Sequence, residues 1–236
     1  MHRRRKDWRR AASDLERAVE LGASEDKVRL TRAMFLLDNG KGSRVIETLA
    51  GLEGVPAHFL RGRALARLED VAGTSAAFSR AIASCEQPIA EHFIEHARML
   101  ATAEPQRIDE ALGVIGLGLK TLGPIISLNQ EAFRLERHVN PAAALRRACE
   151  VNRGDAPPNP RWLIREVELL LDLNELDQAS SALASVRAKL DALPARRRAT
   201  PAIRKLCARL DSLAKSLEVL SERDRLSDGE LGQVPD

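Results

Sequence analysis

The segments AHFLRGRALARLED (residues 57–70) and TSAAFSRAIAS (74–84) decide the fold. Both have the apolar spacing of a helix, and a short polar turn, EDVAG, separates them. Gly62 is a short residue in the first segment, whereas Phe78 in the second is large and is followed three positions later by Ala81. Because helices approach closely only where side chains are short, a large residue is expected to fill the space beside a short one of its neighbour.

The large residue followed by a usually smaller one recurs along the whole chain. The first members of these pairs are separated by 34, 29, 37, 30 and 38 residues, which is close to the helix-turn-helix period of about 34. The pairs are Leu15/Ala18, Leu49/Leu52, Phe78/Ala81, Ile115/Gly118, Leu145/Ala148 and Leu183/Val186. Further segments with helical apolar spacing lie between them, at 26–40, 57–70, 90–103, 127–139 and 161–175.

This pattern resembles the tetratricopeptide repeat family over about residues 7–190. The third unit fits the family best, with Gly62 at the short position of helix A, Phe78 and Ala81 on helix B, and Pro88 near the end of the unit. The resemblance implies an all-α fold, an α-solenoid of antiparallel helix pairs wound into a right-handed superhelix with a concave groove. With 44% hydrophobic residues, 3% aromatic residues and no Tyr, a helical core of Leu, Ala, Val and Ile is expected.

The chain is expected to divide into four parts. Residues 1–24 form an incomplete first repeat with helix B only, as in a fragment of a longer repeat protein, and residues 25–192 form the helix-pair repeats. Residues 193–224 form a C-terminal capping helix, which begins at Thr200 as N-cap and Pro201 as first helical residue. Residues 225–236 form a flexible tail.

The resemblance implies a non-enzymatic scaffold or adaptor that binds a peptide or a partner protein in the concave groove, which helix A of each unit lines. In this sequence, the positions that correspond to the groove-facing residues of the family's helix A form an apolar strip beside two arginines. They suit a ligand with apolar anchors and an acidic group. They are Leu30, Met34, Leu37, Phe59, Arg63, Arg67, Phe93, His96 and Leu100.

The expected partner is a protein or a peptide. The alternative is a second copy of the chain, bound through the uncapped N-terminal repeat. We expect no cofactor, no metal and no nucleic acid partner. No stretch is long and apolar enough to span a bilayer. A soluble, cytoplasmic chain is favoured, and a periplasmic location would require an upstream signal peptide. Thirty Arg against seven Lys favour a GC-rich bacterial source.

An alternative function comes from His92, Glu95 and His96, which form the H-x-x-E-H pattern of one class of zinc metalloproteases. On a helix, both imidazoles could reach one Zn²⁺, with Glu166 or Glu168 as a distant third ligand. That protease class needs a mixed α/β scaffold, which this sequence does not predict. The competing interpretation is a helix A whose apolar face includes Phe93, Ala97 and Leu100, and we favour it.

A further alternative is an adaptor to nucleic acid or an anionic surface through the arginine-rich N-terminus, MHRRRKDWRR at residues 1–10. Single-strand binding normally adds aromatic platforms, which are scarce here. A solvated charged segment is the favoured interpretation for residues 1–10 and equally for Arg196, Arg197 and Arg198. The three cysteines, Cys85, Cys149 and Cys207, are too far apart for a zinc motif or a disulfide framework.

Overall fold

The computed structural model describes residues 8–103, 107–153 and 160–231, and within these ranges the chain forms helices and no strand. Most of the arginine-rich segment (1–7) and the end of the expected tail (232–236) lie outside the described residues. The helices are α1 Trp8–Glu20, α2 Glu25–Asp38, α3 Gly42–Thr48, α4 Val55–Arg67, α5 Val71–Ala83, α6 Ala90–Ala103, α7 Ile108–Leu122, α8 Ile126–Val139, α9 Pro141–Arg153, α10 Pro160–Asp172, α11 Leu176–Asp191, α12 Ala195–Arg198 and α13 Pro201–Leu231.

The predicted all-α fold of helix pairs is confirmed. Every segment with helical spacing forms its own helix, so that helix A of the second to sixth units is α2, α4, α6, α8 and α10. The matching B helices are α3, α5, α7, α9 and α11. In the described part of the chain, no helix combines the length and the apolar content that crossing a membrane would take.

Two helices differ in length from the prediction. Helix α3 ends at Thr48, so Leu52 of the second pair lies in the following loop, where it is still buried. Gly51, with a φ of +71°, follows shortly after and keeps the backbone from continuing as a helix, since such a φ value is incompatible with helical backbone. Helix α13 runs to Leu231, seven residues beyond the expected end at 224.

The contacts divide the chain into two compact units, Met1–Glu131 and Ala132–Asp236, and the division falls within α8. In the first unit each helix from α1 to α7 packs against the next, and α2 also packs against α4. This nearest-neighbour order is that of stacked helix pairs, in which one pair buries its apolar face against the following pair. Its core includes Val45, Leu49, Leu60 and Ala64.

In the second unit α10 packs against α9, α11 and α13, and α11 also packs against α13. Leu210 and Leu213 of α13 are buried in one cluster with Val167 of α10 and Val186 of α11. The start of α13 is as predicted, since Thr200 Oγ1 accepts a hydrogen bond from the Ile203 N–H at 3.4 Å. This long helix therefore covers the last helix pair of the repeats.

A short residue of one helix faces a large residue of its neighbour at two places in the first unit. A Cβ atom on Gly62 of α4 would lie 2.8 Å from the ring of Phe78 on α5. A Cβ atom on Gly118 of α7 would lie 2.9 Å from Cγ of Phe93 on α6 and 3.2 Å from Leu128 on α8. The hydrogen of glycine is what lets these helices lie so close together.

Three of the turns between paired helices share one backbone geometry. Gly40, Glu69 and Asn174 have positive φ values of 72°, 60° and 58°. In each case the N–H of the next residue bonds a carbonyl five positions earlier, as from Asp70 to Leu65 at 3.1 Å. This left-handed cap ends helix A in the second, third and sixth units. In the third unit Asp70 is also the N-cap of α5, because its side chain accepts a hydrogen bond from the Gly73 N–H at 2.8 Å.

Three glycines of α7 make the packing argument testable. Gly113 and Gly116 are exposed and a Cβ on either would touch nothing within 4 Å, whereas a Cβ on Gly118 would collide with Phe93. We expect Gly113→Ala and Gly116→Ala each to raise the free energy of unfolding by about 0.5–1 kcal/mol through helix propensity. Gly118→Ala is expected to lower it by about 1–3 kcal/mol through overpacking. Urea unfolding followed by circular dichroism measures all three, and equal effects would contradict the packing argument.

Candidate functional site

A cleft of about 830 Å³ lies in the first unit between α2, α4, α5 and α6, and we name it the α2–α6 cleft. Helix α4 contributes Arg63, Ala66 and Arg67. The remaining lining residues are Leu37, Glu69, Val71, Thr74, Glu95, Met99, Leu100 and Thr102. The volume is within the usual range of ligand-binding clefts, about 300–1,000 Å³.

The cleft has an apolar floor and a charged rim. Leu37 and Leu100 are buried, and Met99 is half-buried beside them. Arg67 and Glu69 are exposed at the rim, at the C-terminal end of α4 and in the turn that follows. Such a combination can bury an apolar group while charged groups orient the rest of a ligand.

The two arginines of the cleft differ in their bonding. Arg63 donates two hydrogen bonds to the carboxylate of Glu95, one from Nε and one from Nη2 at 2.7 Å, and this raises the pKa of Arg63. Within the described ranges Arg67 has no ion pair. Arg67 is therefore the cation with free hydrogen-bonding capacity, whereas the charge of Arg63 is already compensated.

The structure brings four of the nine groove residues expected from the sequence together in this cleft: Leu37, Arg63, Arg67 and Leu100. Leu30 is half-buried against the core of the second and third units, and Met34 is 55% exposed on α2 outside the lining of the cleft. Sequence reasoning missed the contributions of Glu95 and Met99 and those of Val71 and Thr74, which come from helix B.

The remaining three expected groove residues, Phe59, Phe93 and His96, are buried between helices. The ring of Phe59 lies 5.6 Å from that of Phe78, edge to face, and Phe93 fills the space beside Gly118. These three side chains pack in the core of the first unit, and none of them lines the cleft.

Ion pairs one repeat apart join successive A helices, a feature that sequence reasoning also missed. In the first unit Arg63 of α4 pairs with Glu95 of α6, and Arg98 of α6 pairs with the buried Glu131 of α8. In the second unit Arg137 of α8 pairs with Asp172 of α10. The partners are 32, 33 and 35 positions apart, so basic and acidic residues offset by one repeat length were the available signal.

The residues of the H-x-x-E-H pattern all have other contacts on α6. Glu95 is held by Arg63, and the ring of His92 lies 4.4 Å from that of Phe59. In the described ranges no three His, Cys, Asp or Glu side chains are placed so that they could hold a metal ion.

His96 is buried in a small polar network. Its ring stacks on that of Phe78 at 5.4 Å, and its Nε2 lies 3.3 Å from Ser75 Oγ, which donates to Glu110 Oε1 at 3.0 Å. Burial lowers the pKa of His96 to about 4. Two smaller contributions come from Glu110, which raises this pKa, and from Arg107, which lowers it. A base with that pKa is a poor match for proton abstraction at neutral pH.

The comparisons with known proteins find similarity among solved structures. No match is found among protein-family models or among curated proteins. Among solved structures, the chain is similar to a tetratricopeptide repeat protein from Parabacteroides merdae, with a TM-score of 0.46 and 14% identity. The alignment covers 88% of this chain and 79% of that chain. The fold assigned above rests on the contacts between the helices themselves.

The burial of His96 predicts a pH dependence of stability. The unfolded chain takes up the proton near pH 6.5, whereas the folded chain does so only near pH 4, so stability is fully present above pH 6.5 and is lost as the pH falls through this window. The loss attributable to His96 is up to about 3 kcal/mol. Urea unfolding at several pH values should show a shallower decline for His96→Phe than for the wild type. Superimposable profiles would contradict this assignment.

Proposed function

We propose that the protein is a non-enzymatic adaptor that holds a peptide segment of a partner protein in the α2–α6 cleft. The observation that carries the proposal is the combination of an apolar floor with an uncompensated cation, Arg67, in one open cleft between repeat helices. Stacked helix pairs present such concave surfaces to extended partners. Since a fold alone does not imply a function, the proposal rests on the cleft and its residues.

The apolar floor favours a peptide with one large apolar side chain. Leu37 and Leu100 close the bottom of the cleft, and Met99 can adjust its shape because its side chain is unbranched and flexible. Burying one Leu or Phe side chain of a peptide there would contribute about 1.5–3 kcal/mol. An apolar anchor of this size is a common basis of peptide recognition.

The charges at the rim favour an acidic group in the same peptide. Arg67 is exposed with no ion pair in the described part of the chain, so its guanidinium can take a carboxylate in two parallel hydrogen bonds. Arg63 is held by Glu95, so a second acidic group would have to compete with that carboxylate. The proposed ligand therefore carries one apolar anchor and one acidic residue close to it.

The test is a selection of binders from a phage-displayed library of random peptides, with purified wild-type protein as the target. We expect enriched peptides to combine a Leu, Ile, Phe or Met with an Asp or Glu. Arg67→Glu should weaken their binding by at least about tenfold, because it replaces an attraction to a charged group by a repulsion. Thr102→Trp, at an exposed position of the lining, should weaken it by filling the cleft.

The matched control is Arg80→Glu, which makes the same charge change on α5 at an exposed position outside the cleft lining. Its binding of the selected peptides should stay within about twofold of the wild type, since a distant exposed charge is largely screened by salt. Peptides that bind Arg67→Glu and Thr102→Trp as tightly as the wild type would refute the proposal. A selection that yields no binder would refute it as well.

A further inference from the structure

A basic surface lies on the second unit where α12 leads into α13. Between Asp191 and Asp211 the chain has six basic residues and no acidic one. Arg209 pairs with Glu168, whereas the other five are exposed and have no ion pair within the described ranges. We name these five the α12–α13 basic surface: Arg196, Arg197, Arg198, Arg204 and Lys205.

The position of this surface at the start of a long helix is electrostatically unfavourable. The first turn of α13 contains no acidic residue, although the N-terminus of a helix carries a partial positive charge that acidic side chains normally offset. Arg204 and Lys205 add two positive charges just after it, and the three arginines of α12 stand before it. A bound anion would relieve both the mutual repulsion and the unfavourable interaction with the helix end.

We propose that the α12–α13 basic surface binds the phosphate backbone of duplex nucleic acid. Four of its five residues are arginines, whose planar guanidinium groups bond phosphate oxygens in pairs. Five exposed cations within residues 196–205 are the kind of cluster that binds a phosphate backbone, which requires no contact to base edges.

The surroundings of the surface favour a duplex over a single strand. Residues 192–210 include no Phe, Trp or Tyr, so they offer no platform on which unstacked bases could stack. Our expectation that the chain has no nucleic acid partner used this same scarcity of aromatic residues. That argument applies to single strands, whereas the backbone of a duplex is bound through cations alone.

The surroundings also favour a duplex over an anionic membrane. Ile203, Leu206 and Leu210, the large apolar residues at the start of α13, pack into the core of the second unit with α10 and α11. They are therefore not available to enter a bilayer, as the apolar face of an interfacial helix must do. Membrane binding becomes one of the outcomes that the test separates.

The test compares two double variants with equal charge changes. Arg204→Glu with Lys205→Glu reverses two cations of the surface. Arg146→Glu with Lys215→Glu reverses one Arg and one Lys at exposed positions in the middle of α9 and α13, where neither has an ion pair within the described ranges. Thermal unfolding checks that both variants are folded. The Arg204/Lys205 variant should unfold at a temperature no lower than that of the Arg146/Lys215 variant, because acidic residues suit the start of a helix.

The probes are a fluorescein-labelled DNA duplex of roughly 16 base pairs, an RNA duplex of the same sequence, and vesicles of phosphatidylserine in phosphatidylcholine. Fluorescence anisotropy between about 50 and about 200 mM salt should show binding of the wild type and of the control variant to a duplex, with affinity falling steeply as salt rises. The surface variant should bind at least about tenfold more weakly, with a smaller salt slope.

Three results would overturn the proposal. The first is a wild type that binds neither duplex at about 50 mM salt, where backbone binding is strongest. The second is an equal loss of binding in the surface variant and the control variant, which would show that net charge alone is responsible. The third is binding to the vesicles but to neither duplex, which would identify the surface as a membrane contact.

Discussion

The structure depends on the close approach of neighbouring helices at residues without a side chain. Gly62 allows α4 to lie against the ring of Phe78, and Gly118 allows α7 to lie against Phe93. Each large ring fills the space that the glycine leaves, so the glycine and the ring opposite it are required together. These two contacts therefore set how closely α4 approaches α5 and α6 approaches α7.

The same packing explains where the cleft and the ion pairs lie. Because Phe59, Phe93 and His96 turn into the core, the rest of helix A is left to the charged and aliphatic residues that line the α2–α6 cleft. Arg63 then reaches Glu95 one repeat further along the chain, which ties α4 to α6. Both residues of this ion pair line the cleft, so the stacking of the helix pairs places part of its charged rim.

The repeat period predicted the helices and their pairing, because apolar spacing reports which face each helix buries. It could not predict which large residues of helix A face the groove, since Phe59 and Leu37 have the same apolar character in the sequence. Their roles depend on the residue opposite, which is Phe78 for Phe59. For the Arg63–Glu95 pair the sequence offered only the offset of one repeat length, because its partners are 32 positions apart and meet through the stacking of the repeats.

The most direct test of the central claim is a double-mutant cycle between Gly62 and Phe78, measured as free energies of unfolding in urea. Gly62→Ala alone should destabilise the protein by about 1–3 kcal/mol, because the new methyl group collides with the ring. In the background of Phe78→Leu the same change should cost at least about 1 kcal/mol less, since the smaller side chain leaves room. Additive effects of the two substitutions would contradict the account.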